Sequence, residues 1–147
     1  MEDQMASGLK IESVDQIGIV VRDVDKVIEA WSTLLGVGPW NSREMETTDR
    51  AGRKAKTRLA FANIGSLQIE LIQPIEGRTF YDGFLQDHGE GIHHLGVRVE
   101  DVDAATAVLM SKGVKLLFGR RGSFAYMDTG SPGGVMFELI QRPKETG

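Results

Sequence analysis

Two glutamates and two other polar residues stand at matching places in this sequence. Glu70 and Glu138 each open the tetrapeptide ELIQ, and each lies in an apolar run typical of a strand. Gln16 and His94 are the third residues of two similar stretches, VDQIGIVVRDVDK and IHHLGVRVEDVDA. Carboxylate, imidazole and amide groups can ligate a divalent metal ion, and a carboxylate can also act as a general base. Because the sequence has no cysteine, a metal ion must be held by His, Asp, Glu, Asn or Gln.

The two similar stretches belong to an internal repeat. They align without a gap, and an ELIQ segment closes each copy in the same order. Matched pairs in the same order indicate two copies of one module, at about 12–73 and 91–142, joined by a linker at 74–90. We therefore expect residues 1–147 to form a single domain built from two fused modules.

Each module predicts the element order β-α-β-β-β. The opening strands are apolar and β-branched, at about 14–21 and 92–99. An aspartate then stands where a helix N-cap belongs, with two choices in each module: Asp23 or Asp25, and Asp101 or Asp103. A glycine follows each helix, where positive φ is often needed: Gly36 and Gly113. The remaining strands are expected at about 42–48, 56–62, 67–73, 114–118, 123–129 and 135–141, with a short helix at 80–86.

The neighbours of the glutamates bear on their role. In its strand, Glu138 shares a face with Met136 and Ile140. A lone strand glutamate usually faces water, but these apolar neighbours indicate a face that is not plainly solvated. A charged carboxylate there would be costly unless it is paired or bound to a metal ion. If the modules pack about a pseudo-twofold axis, the two glutamates can converge in one cleft with Gln16 and His94.

The histidine assignment has an alternative. A strand histidine is more often a hydrogen-bonded structural residue than a metal ligand, and His93 is a second candidate beside His94. His93 aligns with Asp15 in the repeat and points to the other face of its strand. We prefer His94 because it aligns with Gln16.

Composition excludes several classes of protein. Hydrophobic residues make up 41% of the chain and charged residues 26%, which is enough apolar material for a globular core. The net charge of -4 argues against a nucleic-acid-binding protein, which needs a basic face for phosphates. No apolar run reaches the roughly 18 residues that span a bilayer, and the N-terminus lacks the apolar core of a signal peptide. We therefore expect a cytoplasmic protein without a membrane partner.

Three stretches carry a resemblance to a known family: GEGIHHLGVRVEDVDAA at 89–105, FYDGFLQDH at 80–88 and PGGVMFELIQ at 132–141. Together with the repeat, they resemble the vicinal oxygen chelate superfamily of glyoxalases, bleomycin resistance proteins and dioxygenases. The likeness covers about residues 12–142 and is greatest to methylmalonyl-CoA epimerases. It implies an α+β fold in which two βαβββ modules form a cupped, mostly antiparallel eight-stranded half-barrel sheet with the helices outside.

The resemblance also implies a site and a reaction. Carried over by position, one divalent ion (Zn, Co, Ni or Mn) is held by Gln16, Glu70, His94 and Glu138. The reaction moves a proton on the carbon next to a carbonyl through an enolate, with Glu138 as the first candidate for the base and Glu70 as the second. The implied partners are a small carbonyl or thioester substrate, by default methylmalonyl-CoA, and a second copy of the chain in a homodimer.

Two residues depart from the epimerase pattern. Gln16 stands where those enzymes have a histidine ligand, and the set Gln, Glu, His, Glu is similar to that of zinc-dependent glyoxalase I. Arg58 aligns with their second catalytic glutamate, within a possible register slip of one, and a cation is a poor base. A glyoxalase I-like lactoylglutathione lyase is therefore the alternative function. A non-catalytic small-molecule-binding protein is the third hypothesis.

Basic residues are candidates for binding an anionic substrate such as the phosphates of coenzyme A. Arg58 belongs to the basic stretch 50–58, and Arg120 and Arg121 lie in the glycine-flanked segment GRRG. A solvated hairpin and turn are the alternative for these stretches. If the resemblance holds, Tyr126 lies near the cleft and helps to shape the substrate pocket.

Overall fold

The chain divides into two compact units, each with its own hydrophobic clusters. A computed structural model describes residues 9–49, 51–129 and 132–141. One unit consists of residues 16–93, and the other combines the described parts of 94–147 and 1–15. The first unit carries most of the first module, and the second unit carries most of the second.

The first module contains one helix and four strands: β1 (Ser13–Val20), α1 (Val24–Leu35), β2 (Asn41–Thr48), β3 (Lys54–Ile64) and β4 (Leu67–Glu76). Its strands follow the order β2-β3-β4-β1, with β1 parallel to β4 and the other pairs antiparallel. A short helix, α2 (Asp82–His88), follows it in the chain.

The second module repeats this arrangement: β5 (Gly91–Arg98), α3 (Val102–Ser111), β6 (Lys115–Arg120), β7 (Phe124–Asp128) and β8 (Met136–Ile140). Its strands follow the order β5-β8-β7-β6, again with the first and last strands parallel. The four strands of each module are paired in a mixed arrangement, so the predicted α+β class and the duplicated β-α-β-β-β order are confirmed. None of the helices in the described ranges is long and apolar enough to cross a membrane.

The connecting helix α2 begins at Asp82, two residues later than the sequence predicts. The Tyr81 N–H donates to the Thr79 hydroxyl at 3.1 Å, and the Thr79 N–H donates to the Asp82 carboxylate. These local bonds stabilise a turn at Thr79–Tyr81 before the helix begins. Threonine and aspartate side chains can accept the backbone N–H groups that would otherwise take part in the first helical turn.

Aspartates start both long helices. Asp23 accepts the N–H of Lys26 at 3.2 Å, and Asp101 accepts the N–H of Ala104 at 3.0 Å. Of the two choices in each module, the first aspartate is therefore the N-cap. Helix α1 is followed directly by its C-cap Gly36 in the left-handed region, with φ of 67°, as predicted. Helix α3 is followed by its C-cap Lys112, and Gly113, the positive-φ glycine that the sequence predicts, comes one residue later.

The last residue of each ELIQ segment ties the closing strand to its helix. Gln73 accepts the N–H of Val24 at 2.9 Å, and Gln141 accepts the N–H of Val102 at 2.8 Å. Val24 and Val102 are buried first residues of α1 and α3, so water cannot easily replace the glutamine oxygen. This explains why the repeat keeps a glutamine at that place.

Replacing Gln73 by leucine should destabilise the first module. The Val24 N–H would be left buried without its partner, which costs about 1–3 kcal/mol in the free energy of unfolding. Urea unfolding followed by circular dichroism measures this loss. Gln86→Leu, on the exposed surface of α2, is the matched control and should change stability by less than about 0.5 kcal/mol. Equal effects of the two substitutions would contradict a capping role for Gln73.

Each long helix packs on one face of its own module, and this decides which way the glutamates point. Leu71 lies in a buried cluster with residues of α1, and Leu139 lies in a buried cluster with residues of α3. Because neighbouring strand residues alternate between faces, Glu70 and Glu138 lie on the faces turned away from these helices.

Candidate functional site

A row of cross-strand neighbours runs through Glu138 in the second module. Gly96, Glu138, Tyr126 and Phe118 are successive register partners on β5, β8, β7 and β6. Register partners of this kind present their side chains on the same face of a sheet. Glu138 therefore has Tyr126 as its neighbour on one side, and on the other side a glycine that adds no side chain.

His94 lies against this row. Its Nε2 atom is 3.2 Å from Glu138 Oε2 and 3.4 Å from the Tyr126 hydroxyl oxygen. The His94 side chain is 0% exposed and that of Glu138 is 13% exposed. Two ligands of one zinc ion, each at about 2.1 Å, lie roughly 3–3.5 Å apart. The spacing of His94 and Glu138 therefore fits two ligands of one divalent ion, as well as a direct hydrogen bond.

The first module repeats the row with other residues. Gly18, Glu70, Phe61 and Asn41 are successive register partners on β1, β4, β3 and β2. Glu70 is 8% exposed. The repeat therefore places a buried or largely buried carboxylate between a glycine and an aromatic residue in both modules.

Gln16 is held in a defined orientation. Its amide Nε2 donates to Gln68 Oε1 at 2.8 Å, between residues that are register partners on β1 and β4. This bond occupies the N–H end of the Gln16 amide. The carbonyl oxygen is the end of an amide that binds a metal ion, so Gln68 orients Gln16 in the sense that ligation requires.

Glu70 is the one acidic residue on its face of strands β1 to β4, all of which are described. Glu44 and Glu46 of β2 are register partners of Arg58 and Lys56, and they lie on the other face. The module therefore brings a single carboxylate to this face.

Arg58 lies on the face opposite to Glu70. Its Nη1 atom is 2.8 Å from the carboxylate of Asp25 in the first turn of α1. Thr57, which is 3% exposed, lies on the Glu70 face instead. Thr57 is one residue from Arg58, so the alignment of this strand with the epimerases is shifted by one residue. Arg58 anchors α1, and its expected role in substrate binding stays a prediction.

The other described cations of the basic stretch are also paired with acids. The pairs are Arg53 with Asp49 at 2.7 Å, Lys54 with Glu46 at 3.6 Å, and Lys56 with Glu76 at 3.8 Å. The backbone N–H and the guanidinium of Arg53 lower the pKa of Asp49 below its usual value. Arg50 lies outside the described residues. These pairs favour the solvated hairpin over a phosphate site in this stretch.

Two arginines stand at equivalent places beside the two glutamate rows. Arg120 is the register partner of Phe124 on β7, and Arg43 is the register partner of Leu59 on β3. The Arg43 guanidinium lies 5.5 Å from the centre of the Phe61 ring. Sequence reasoning selected Arg120 and missed Arg43, which matching the second strands of the two repeats would have found.

The other predicted substrate-binding residues lie in different surroundings. Tyr126 is buried beside His94, with 4% of its surface exposed. Arg121 is exposed in the turn that follows β6. The structure therefore brings Tyr126 to the candidate base and leaves Arg121 in solvent.

His93 has a structural role. Its ring lies 5.0–5.5 Å from the ring centres of Phe80, Tyr81 and Phe84, which come from the linker and α2. His93 is 4% exposed. It packs the linker against the start of β5, whereas His94 contacts Glu138, and this favours His94 as the ligand.

Each module thus supplies one pair of candidate ligands. The pairs are His94 with Glu138 and Gln16 with Glu70. Within the described ranges, no three His, Asp or Glu side chains are grouped closely enough to hold a metal ion.

Comparisons with known proteins identify a matching family and several similar structures. The model of the Glyoxalase/Bleomycin resistance protein/Dioxygenase superfamily matches residues 15–141. The uncharacterized protein YqjC of Bacillus subtilis is 25% identical over 134 residues, which cover 87% of this chain and 91% of that protein. The crystal structure of methylmalonyl-CoA epimerase from Mycobacterium tuberculosis is similar with a TM-score of 0.68 and 28% identity, covering 91% of this chain and 90% of that chain. A variant of the Streptomyces coelicolor methylmalonyl-CoA epimerase, in complex with 2-nitronate-propionyl-CoA, is similar with a TM-score of 0.69 and 26% identity, covering 91% of this chain and 100% of that chain.

Proposed function

This chain belongs to the Glyoxalase/Bleomycin resistance protein/Dioxygenase superfamily, and from that premise we propose that it is a metal-dependent epimerase or racemase. The reaction moves a proton on the carbon next to a carbonyl. The observation that carries the proposal is the 3.2 Å contact between His94 and Glu138, which brings together two candidate metal ligands, one of them the candidate base, with side chains 0% and 13% exposed. The likeness to methylmalonyl-CoA epimerases at 26% and 28% identity supports an α-substituted thioester or ketone as substrate.

The proposed metal site holds one ion of zinc, cobalt, nickel or manganese. Its ligands are Gln16, Glu70, His94 and Glu138. The donor types support this set, because imidazole, carboxylate and amide oxygen suit hard and borderline divalent ions. When bound, such an ion supplies a Lewis acid that stabilises negative charge on the substrate oxygen.

Glu138 is the proposed base. Its carboxylate takes the α-proton, and the C–H electron pair passes into the carbonyl group to give an enolate. The protonated carboxyl group then returns the proton to either face of the planar carbon, and the enolate electrons regenerate the carbonyl. His94 fixes the position of the carboxylate through its contact with Glu138, and Tyr126 in turn contacts His94. Glu70 is the second candidate for the base, because it is the acid on the corresponding face of the first module.

Solvent deuterium exchange tests the proposed reaction. The protein is loaded with zinc, cobalt, nickel or manganese and incubated in D2O with methylmalonyl-CoA, propionyl-CoA and an aryl ketone. We expect deuterium at the α-carbon without net conversion to another compound. Absence of exchange with every substrate and metal, in protein shown to contain one equivalent of metal, would reject the epimerase proposal.

A glyoxalase I-like lactoylglutathione lyase is the second candidate. It is favoured by the orientation of Gln16, whose amide is set by Gln68 to offer the carbonyl oxygen. The same metal-loaded samples are given methylglyoxal and glutathione, and thioester formation is followed by absorbance. Thioester formation without α-proton exchange in acyl-CoA thioesters would select the lyase. A non-catalytic binding protein would give neither reaction.

Gln68→Leu should weaken metal binding. Without the bond from its N–H end, the Gln16 amide can rotate and present nitrogen instead of oxygen to the ion. Loss of such a supporting hydrogen bond typically reduces metal affinity 10–100-fold. Competition with a chelating dye measures the zinc dissociation constant of the native and variant proteins. An unchanged dissociation constant would show that Gln68 does not position Gln16.

Two further expectations from the sequence stay predictions: assembly as a homodimer and a cytoplasmic location. Light scattering coupled to size exclusion measures the mass in solution. A mass near 32 kDa, about twice that of one chain, is expected for the dimer.

A further inference from the structure

Three aromatic rings extend from Glu138 towards the outer strand of the second module. The rings of Tyr126 and Phe118 are 4.7 Å apart between centres and inclined by 33°. The Phe124 ring meets them nearly at right angles, at 6.2 Å and 5.9 Å. These three rings are called the aromatic platform. Tyr126 is 4% exposed and Phe118 is 39% exposed, so the platform begins in the buried site and reaches solvent at β6.

The first module shows that the fold does not need this platform. In the equivalent row the place of Tyr126 is taken by Phe61, and the place of Phe118 is taken by Asn41. The two modules share the same strand order and the same helix packing. A phenylalanine at position 118 is therefore a feature of the second module alone, and the βαβββ arrangement does not require it.

The platform lies at a suitable distance from the proposed base. Phe118 and Glu138 are separated by β7, so their strands are about 10 Å apart. A substrate whose α-carbon lies at Glu138 would extend a substituent one aromatic ring in length across β7 towards the exposed part of Phe118. Flat rings are favoured there because offset and edge-to-face contacts between aromatic rings are attractive beyond their simple burial.

We propose that the aromatic platform selects a substrate that carries an aromatic ring on its α-carbon, an aryl-substituted acyl thioester. The reaction of that substrate rests on the proposed function, whereas its binding rests on the platform. A small aliphatic acyl group would leave Phe118 without a contact from the substrate. The platform therefore predicts a preference between two thioesters that differ only in the substituent.

The test compares the binding of phenylacetyl-CoA and propionyl-CoA to the full-length protein by isothermal titration calorimetry. Native protein should bind phenylacetyl-CoA about tenfold more tightly. Phe118→Ala should reduce this ratio to about twofold or less, and Phe118→Tyr should restore it. The matched control is Leu116→Ala, on the same strand and of similar exposure, 42% against 39%. Its register partner is the buried Met127 of the α3 cluster, so it should leave the ratio unchanged.

The outcomes separate this proposal from the proposed reaction. A native ratio near one, or a ratio that Phe118→Ala leaves unchanged, overturns the platform. Solvent deuterium exchange is measured on the same samples with both thioesters. Exchange without an aromatic preference would keep the epimerase and reject the platform. An aromatic preference that depends on Phe118, without exchange in either thioester, would keep the platform and reject the epimerase.

Discussion

Glu138→Gln is expected to reduce α-proton exchange by about 10³-fold. The substitution keeps the size and the oxygen of the side chain but removes the group that accepts the proton. It also replaces a charged ligand by a neutral one beside His94, so the affinity for zinc should fall as well. Exchange is measured at saturating zinc, which separates the loss of the base from the loss of metal.

The control for this prediction is Glu29→Gln on the exposed surface of α1, which should exchange at the native rate. Both variants are compared with native protein by thermal unfolding to show that they fold. If Glu138→Gln with one equivalent of zinc exchanged within a factor of three of the native rate, Glu138 would not be the base. The same measurement on Glu70→Gln would then test the second candidate.

Leu71→Ala and Leu139→Ala are expected to cost similar amounts of stability, about 3–4 kcal/mol each. The two leucines are 0% and 1% exposed, and each lies in the cluster between its sheet and its long helix. Each substitution removes buried methyl groups and leaves a cavity that the tight surroundings fill only in part. Equilibrium unfolding in urea measures the change in the free energy of unfolding.

Leu34→Ala is the control for these substitutions because Leu34 is 80% exposed. It should change stability by less than about 0.5 kcal/mol. The two ELIQ leucines occupy equivalent positions in the repeat. If one substitution lowered the free energy of unfolding much less than the other, the two leucines would not be equivalent in their packing. Separate transitions for the two variants would show that the modules unfold independently.

The internal repeat determined much of this protein from its sequence alone. The spacing of VDQIG, IHHLG and the two ELIQ segments predicts two βαβββ modules, because each copy must fold into the same unit. Strand periodicity likewise predicts that Glu138 shares a face with Met136 and Ile140, since alternation needs no knowledge of the neighbouring strand. The aspartate N-caps follow from local hydrogen bonds within four residues.

Residues that depend on the neighbouring strand were decided by the tertiary structure. Arg58 turns away from Glu70, and Thr57 replaces it, because Phe61 is the register partner of Glu70 and Arg58 lies three residues from Phe61 along β3. Arg43 joins the Glu70 face through the pairing of β2 with β3. A shift of one residue exchanges the two faces of a strand, and local sequence does not record it.

Contacts between residues far apart in the chain also required the folded molecule. Gln73 and Gln141 read as polar strand residues, yet each accepts the first N–H of a helix that begins 49 or 39 residues earlier. Tyr126 meets His94 across 32 residues, and it becomes part of the site only when β5, β8 and β7 lie side by side. Periodicity determines which way a side chain points, but strand order and register determine what it touches.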